Sequence, residues 1–159
     1  MVAVFTERLD SPFGPISLDF GSEGFLVEIK LRSRRRASAG RRPSGTPSRA
    51  ALKKWLAAAC AGKEMPFPGP WSLPQGSPFF TLVWKEVAGI PAGATLSYGE
   101  VSRRAGSPGA SRAVGSAMAR NPLPFLVPCH RVRATNGLGG FGGGLPMKAA
   151  LLKVEGAEI

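Results

Sequence analysis

The 159-residue chain is short of several residue types from which functional sites are built. It has one histidine, one tyrosine and two cysteines, and only 10 acidic residues stand against 21 basic ones. A structural zinc site takes four ligands, mostly cysteine and histidine, so this set predicts no metal site. No apolar run approaches the ~20 residues that span a bilayer, and the N-terminus lacks the basic-then-apolar form of a secretion signal. We therefore expect a cytoplasmic protein without a disulfide and without a membrane partner.

Charge is the most informative part of the composition. The formal net charge is +11 and the sequence pI is about 10.9, while the hydrophobic fraction of 43% is that of a globular protein. Lysine and arginine release condensed counterions when they meet phosphates, so a polyanion is the expected partner. A merely solvated surface is the alternative. An anionic membrane is disfavoured because the sequence contains no amphipathic basic helix.

The N-terminal half predicts a small antiparallel sheet followed by a helix. Apolar and polar residues alternate over 16–20 and 25–31, which is typical of half-buried strands joined by a hairpin. The residues expected to face the core are Ile16, Leu18, Phe20, Phe25, Val27, Ile29 and Leu31. Residues 32–48 are rich in Arg, Ser, Gly and Pro, and we expect a mobile basic loop that either helps to hold DNA or is a disordered connector. A helix from Arg49 would bury Cys60 as a core thiol.

Helices dominate the expectation for the C-terminal half. Apolar spacing over 80–88 predicts a core helix, and Ser97-Tyr-Gly-Glu100 has the form of a capping box. The short helix opened by this box, a glycine-containing turn at 105–109 and a second helix to about Arg120 give the pattern of a helix-turn-helix.

The second of these helices has two different faces. Ala110, Val114, Ala117 and Met118 share a face that we expect to be core. The opposite face carries small residues and one long cation, Arg112. Small side chains allow close approach to a DNA groove without reading its sequence.

The chain's only histidine, His130, directly follows Cys129 in a proline-rich segment. A thiol needs a base or a local positive field to become the reactive thiolate. The imidazole and the guanidinium of Arg131 come next to the cysteine. A chance Cys-His pair in a loop is the alternative for a bare dipeptide, so the surrounding sequence has to decide.

Pro-Cys-His-Arg-Val at 128–132 resembles the acceptor-site motif of the O6-alkylguanine-DNA alkyltransferases, suicide repair proteins that move an alkyl group from damaged guanine onto their own cysteine. The resemblance covers residues 79–156 in the family's order and spacing and is loose before that. Its other motifs are Ile90-Pro-x-Gly-x-Thr-x-Ser-Tyr-Gly-Glu100, Ser111-Arg-Ala-Val-Gly115, Asn121-Pro122, Gly139-Gly-Phe-Gly-Gly-Gly-Leu145, Lys148 and Leu151-Leu-x-x-Glu-Gly156.

The resemblance implies a displacement at carbon in which Cys129 is the nucleophile and the guanine oxygen leaves. His130 would act as the base through a bridging water, with Glu155 orienting it, in the manner of Cys-His-carboxylate sites. Tyr98 would help to rotate the lesion's phosphate and would donate to guanine N3. The product is a thioether, so the implied methylated-DNA–protein-cysteine S-methyltransferase acts once per molecule and without a cofactor.

The resemblance also places the second helix of the helix-turn-helix in the minor groove of double-stranded DNA, with Arg112 filling the gap left by the flipped O6-alkylguanine. The other residues of this helix assigned to DNA are Ala110, Ser111, Ala113, Gly115 and Ser116. The substrate pocket would be formed by Val132, Phe141, Gly142 and Gly143. Asn121 and Arg131 would support the active-site turn. Phe141 and Gly142 stand where the family often has Tyr-Ser. Gly142 would keep the backbone amide that faces O6 in the family, but the serine side chain is absent.

Three other functions fit parts of the sequence. A lesion-binding relative that recruits other repair proteins would have lost the acceptor cysteine, which is present here. A transcription regulator would carry base-reading side chains on its second helix, and a thiol hydrolase would turn over.

We predict an α/β fold in two parts. Residues 1–70 would form a domain with a small antiparallel sheet and a helix, ribonuclease H-like by the resemblance. Residues 77–159 would form a mostly helical domain with the helix-turn-helix and the thiol. We expect a monomer.

Overall fold

The computed structural model describes residues 2–159, which form two compact units, one ending at Ser72 and the other spanning Leu73–Ile159. The first unit contains a small antiparallel sheet and a helix, and the second is mostly helical. The predicted α/β class with this division of elements is confirmed. No helix among the described residues is both long enough and apolar enough to cross a membrane.

Three antiparallel strands build the sheet of the first unit in the order β1 (Phe5–Ser11), β2 (Gly14–Phe20) and β3 (Leu26–Lys30). The expected hairpin joins β2 to β3. The apolar spacing does not reveal β1, because Glu7 takes a buried position between apolar residues and interrupts the alternation.

The expectation that β2 is half-buried is wrong. Its polar residues Ser17 and Asp19 are as buried as their apolar neighbours. The Ser17 hydroxyl donates to Ser33 Oγ at 2.9 Å, and the Asp19 carboxylate accepts from the Thr6 hydroxyl at 2.7 Å. These bonds replace the water that the polar groups would lose on burial.

The core face expected for β3 is also wrong. Of the four residues expected to be buried there, Ile29 is, whereas the other three remain partly exposed. Leu26, expected to face outwards, is buried instead. The pairing register shifts between Asp19 and Phe20 on the neighbouring strand, and such an irregularity changes which face a side chain occupies.

Residues 32–48 have no helix or strand, as expected, but they are fastened to the sheet. The amide of Ser38 donates to the carbonyl oxygen of Thr6 at 2.8 Å, and Arg35 forms an ion pair with Asp19. These contacts hold the segment against the sheet, which argues against the expected mobile loop. A carboxylate buried in a strand needs a cation nearby, and this segment supplies one.

Helix α1 (Arg49–Cys60) begins where the sequence predicts. Ser48 caps it, since its hydroxyl oxygen accepts from the Ala51 amide at 3.1 Å. Cys60 is buried at its end, as expected, and burial raises the pKa of this thiol to about 11. The Cys60 thiol therefore stays protonated at neutral pH.

The second unit contains helices α2 (Pro78–Ala88), α3 (Tyr98–Arg104), α4 (Ser111–Ala119) and α5 (Leu145–Val154). The predicted capping box opens α3: the Ser97 amide donates to the Glu100 carboxylate at 2.7 Å, and the Glu100 amide donates to Ser97 Oγ at 3.1 Å. Helices α3 and α4 with the turn between them form the predicted helix-turn-helix. The Trp84 indole N–H donates to the Ala117 carbonyl oxygen at 2.9 Å, which fastens α2 to α4.

Two short parallel strands bring distant parts of the second unit together. Strand β4 (Leu96–Ser97) pairs with β5 (Val132–Arg133). Tyr98 directly follows β4, and Cys129–Arg131 directly precedes β5. The pairing therefore places the start of α3 beside the segment that carries the cysteine.

Candidate active site

Cys129 opens a single 3₁₀ turn, Cys129–Arg131, at the end of a proline-rich loop. The side chain of Asn121 braces this loop: its amide nitrogen donates to the Val127 carbonyl oxygen at 2.7 Å, and its oxygen accepts from the Leu123 amide at 3.0 Å. The Cys129 amide donates to the same Val127 oxygen at 2.7 Å. The loop thereby holds the thiol in a defined place.

His130 and Glu155 form a buried pair beside the cysteine. His130 Nε2 lies 2.8 Å from Glu155 Oε1, and the two side chains are 3% and 2% exposed. Arg131 holds the same carboxylate, with its Nε 3.0 Å from Oε2 and its Nη2 2.9 Å from Oε1. Burial raises the pKa of Glu155, but the hydrogen bonds from His130 and Arg131 outweigh it and hold that pKa at about 2. The carboxylate is therefore ionised at neutral pH.

The protonation of His130 follows from this pairing. Burial lowers the pKa of His130, and the Glu155 carboxylate raises it without restoring the ordinary value. The ring is therefore neutral at neutral pH. An ionised carboxylate can only accept a hydrogen bond, so the ring proton lies on Nε2 and Nδ1 is the basic nitrogen. The site thus holds a base next to the cysteine, and its charged form has a carboxylate partner.

The Cys129 thiol is protonated in the resting protein. Burial raises the pKa of this thiol, and the Asn121 side chain, the Lys148 ammonium and nearby backbone amides oppose that effect without reversing it. In the described structure, the His130 ring is hydrogen-bonded to Glu155 and not to the thiol. The thiolate is the nucleophile, so the Cys129 thiol must lose its proton before it can react.

Lys148 belongs to the site, although the sequence analysis gave it no role. Its side chain is fully buried, and its Nζ donates to the carbonyl oxygens of Val132 at 2.5 Å and Gly140 at 3.0 Å. Burial lowers the pKa of Lys148 to about 8. The Lys148 ammonium thereby connects β5, which follows the cysteine turn, to the glycine-rich loop at residues 139–144. The sequence did contain a signal for this role, because Lys148 shares the buried face of α5 with Leu151 and Leu152. A lysine at such a position needs buried partners.

A cavity of about 310 Å³ opens at Cys129. It is bounded by the start of α3, by α4, by the cysteine turn and by the glycine-rich loop, through Tyr98, Gly115, Met118, Ala119, Cys129, Gly140, Phe141 and Gly142. Met118 lines this space, so the expectation that it is a core residue is wrong. Its neighbours on the expected core face, Val114 and Ala117, are buried, whereas Ala110 is only partly so.

Tyr98 and the glycine-rich loop fit closely. Burial raises the pKa of Tyr98, against a hydrogen bond with the backbone of Gly140, so its hydroxyl is a proton donor at neutral pH. Gly139 has a φ of +74°, and a Cβ placed on it would lie 2.8 Å from the Tyr98 hydroxyl oxygen. A larger residue at 139 would therefore push Tyr98 out of its place.

The outer face of α4 is open. Arg112 and Ser116 are exposed, while Ser111, Ala113 and Gly115 are partly exposed. Apart from its chain neighbours and the backbone of its own helix, no described residue has an atom within 4 Å of a Cβ built on Gly115. Gly115 lines the cavity and Arg112 does not, so the open face of α4 meets the cavity wall at Gly115, with Arg112 one turn away.

Two residues that the sequence predicted for the pocket do not line the cavity. Val132 and Gly143 are buried, and Val132 offers the cavity no side-chain surface. The Val132 carbonyl oxygen accepts from Lys148 Nζ. Among residues 2–159, no group of three His, Cys, Asp or Glu side chains is placed to hold a metal ion.

Comparison with known proteins agrees with this geometry. A family model described as the DNA-binding domain of 6-O-methylguanine DNA methyltransferase matches residues 78–157. The chain is 41% identical over 151 residues to a methylated-DNA–protein-cysteine methyltransferase of Mycobacterium tuberculosis, which covers 92% of this chain and 89% of that protein. It is 38% identical over 159 residues to the protein of the same name from Mycobacterium leprae, covering 98% and 94% of the two chains. A crystal structure of Mycobacterium tuberculosis OGT in complex with DNA matches with a TM-score of 0.76 at 36% identity, over 95% of this chain and 92% of that one. The chain belongs to the 6-O-methylguanine DNA methyltransferase family.

Proposed function

We propose that the protein repairs O6-alkylguanine in double-stranded DNA by moving the alkyl group onto the sulfur of Cys129. One observation carries this proposal: the cysteine lies in the wall of a cavity, next to a base whose charged form is matched by a buried carboxylate. The cavity of about 310 Å³ is within the size range of small-molecule sites. The activity is that of a methylated-DNA–protein-cysteine methyltransferase, as its relatives are named.

The chemistry begins with loss of the thiol proton. His130 takes this proton on Nδ1, through a bridging water, and Glu155 stabilises the resulting imidazolium. The thiolate attacks the alkyl carbon; the S–C bond forms while the C–O6 bond breaks, and the electron pair leaves with the guanine. Tyr98 either gives its proton to guanine N3 and recovers one from the imidazolium, or donates only a hydrogen bond there, in which case the imidazolium proton passes to the guanine. In both cases the thiol proton is matched by one gained by the guanine, which stays in the DNA, and no cofactor takes part.

The damaged guanine reaches the thiol by leaving the DNA double helix. A lesion stacked in a duplex cannot enter a cavity, so the nucleotide must be flipped. The open face of α4 supports a minor-groove contact, because its small residues allow close approach and one of them, Gly115, also lines the cavity. We propose that Arg112 fills the space that the flipped nucleotide leaves.

The proposed product explains why the protein acts once. A thioether has no acyl carbon for water to attack, so the modified cysteine is not regenerated. The residues proposed for the chemistry lie together within a single chain, so one molecule is sufficient for one transfer. Both cysteines are free, and a thiol acceptor has to stay reduced, which supports a cytoplasmic location.

The test is the fate of the DNA. After incubation with a duplex containing one O6-methylguanine, nucleoside analysis should find the lesion replaced by guanine in proportion to the protein added. Binding of the duplex with the lesion intact would instead support a lesion-binding protein without transfer. Replacement far beyond the amount of protein would contradict the single-use mechanism.

A further inference from the structure

Six arginines and no acidic residue lie between positions 32 and 42, here called the basic segment. Two of these arginines are held by buried carboxylates: Arg35, whose own side chain is 49% exposed, pairs with Asp19, and Arg42 pairs with Glu7. The other four are exposed and form no ion pair with any residue in the described part of the chain; they are Arg32, Arg34, Arg36 and Arg41. The segment thus divides its cations into anchors and an exposed set.

The exposed set stands on a fixed backbone. The Ser33 amide donates to the Pro15 carbonyl oxygen at 2.8 Å, and Ser33 Oγ accepts from the Ser17 hydroxyl at 2.9 Å. Further on, Ser38 and Thr6 bond twice, since each amide donates to the other residue, at 2.8 Å in both cases. A preorganised set of cations loses less conformational entropy on binding than a disordered loop would.

We propose that the exposed arginines of the basic segment bind the phosphates of duplex DNA, in addition to the contacts proposed for α4. Arginine forks match phosphate oxygens, and the other side chains of the segment are only alanine, serine and glycine. Such a surface has no large apolar side chain to insert into a membrane, and the phosphates of a duplex offer its arginines acceptors in any sequence. This inference rests on the proposed function, which brings the protein to DNA. A contact with phosphates is independent of base sequence, and it weakens as salt rises because each neutralised phosphate releases a counterion.

The experiment compares two variants of the full chain that lose the same charge. One carries Arg34→Gln, Arg36→Gln and Arg41→Gln. Its matched control carries Lys53→Gln, Lys54→Gln and Lys63→Gln, which are exposed cations of the same unit outside the segment. Affinity for an undamaged duplex is measured by fluorescence anisotropy between 50 and 200 mM salt, and melting temperatures confirm that both variants fold.

The slope of log affinity against log salt should be shallower by about 2.7 in the arginine variant if all three arginines contact phosphates. Lowering the salt from 200 to 50 mM should then increase the affinity of this variant by a factor about 40-fold smaller than it increases that of the wild type. The lysine variant should keep the wild-type slope within about 0.5. Equal slopes for the two variants, or no change in the arginine variant, would overturn the proposal.

A second measurement separates this inference from the proposed function. At saturating lesion-containing duplex, the single-turnover rate of methyl transfer should be the same for wild type and the arginine variant, because the segment affects affinity and not chemistry. If wild-type protein transfers no methyl group, the proposed function fails whatever the salt slopes are. If wild type transfers and the arginine variant binds as wild type does, only the present inference fails.

Discussion

Glu155→Gln isolates the part of the site that supports charge on His130. The substitution keeps the size of the side chain and removes the negative charge 2.8 Å from Nε2, in a pair that is 3% exposed or less. A hydrogen bond to a charged group contributes about 1.5–3 kcal/mol, and here it strengthens only when the ring becomes positive. Loss of about 2–3 kcal/mol from the transition state slows transfer roughly 100-fold, the lower end of the ~10²–10⁴ range for acid-base groups.

The assay is the single-turnover rate at saturating duplex containing O6-methylguanine, measured from pH 5 to 9. Glu155 raises the pKa of His130, so its removal should also move the acid limb of the profile to lower pH. Glu158→Gln is the matched control, since it makes the same change on an exposed carboxylate near the same end of the chain. DNA affinity should stay within about twofold for both variants. A wild-type rate in Glu155→Gln, or a slower rate with an unshifted acid limb, would show that Glu155 does not act through His130.

Three further predictions follow from the same geometry. Cys129→Ser should bind duplex DNA as wild type does and transfer nothing, whereas labelling of Cys60 in that variant would contradict the assignment of the acceptor. Arg112→Ala should slow repair of duplex DNA and leave the reaction with free O6-benzylguanine almost unchanged, and Arg112→Lys should restore only part of the duplex rate because lysine lacks the planar guanidinium; equal losses on both substrates would indicate a structural role. The free energy of unfolding, followed by urea titration, should decline by roughly 3 kcal/mol on account of Glu155 as the pH falls from the unfolded-state pKa near 4.5 towards about 2, since a depressed carboxyl pKa stabilises the fold only above that window. The Glu155→Gln variant should lack this decline. A free energy of unfolding that depends on pH in this variant as it does in the wild type would contradict the prediction.

The sequence predicts the parts of the fold that depend on local signals. The capping box at Ser97, the α3–turn–α4 unit and the start of α1 after Ser48 each follow from residues a few positions apart. The neighbourhood of Cys129 and His130 also lies within one short segment. Such features form wherever the chain goes afterwards, because their partners are close in sequence.

Long-range partners account for what the sequence did not predict. Strand β1 was hidden because Glu7 is buried, and its burial depends on Arg42, which lies 35 residues away. Ser17 and Asp19 look like an exposed strand face until residues 32–42 fold over them. Periodicity assigns a residue to a face but contains no information about what covers that face.

The candidate site shows the same division. The sequence indicates Cys129, His130 and Glu155 as the proposed nucleophile, base and carboxylate, but it does not contain the 2.8 Å distance that pairs His130 with Glu155. Lys148 was missed because its two acceptors are backbone carbonyls, which no sequence pattern marks. Met118 was misplaced because helical spacing cannot distinguish a packed core from the wall of a cavity.

The most direct test of the account is the intact mass of the protein after reaction with an excess of duplex containing O6-methylguanine, followed by peptide mapping. The account predicts a mass increase of one methyl group per molecule, located on the peptide that contains Cys129, with no further change on longer incubation. An unmodified protein bound to the lesion, or a methyl group found elsewhere in the chain, would contradict it.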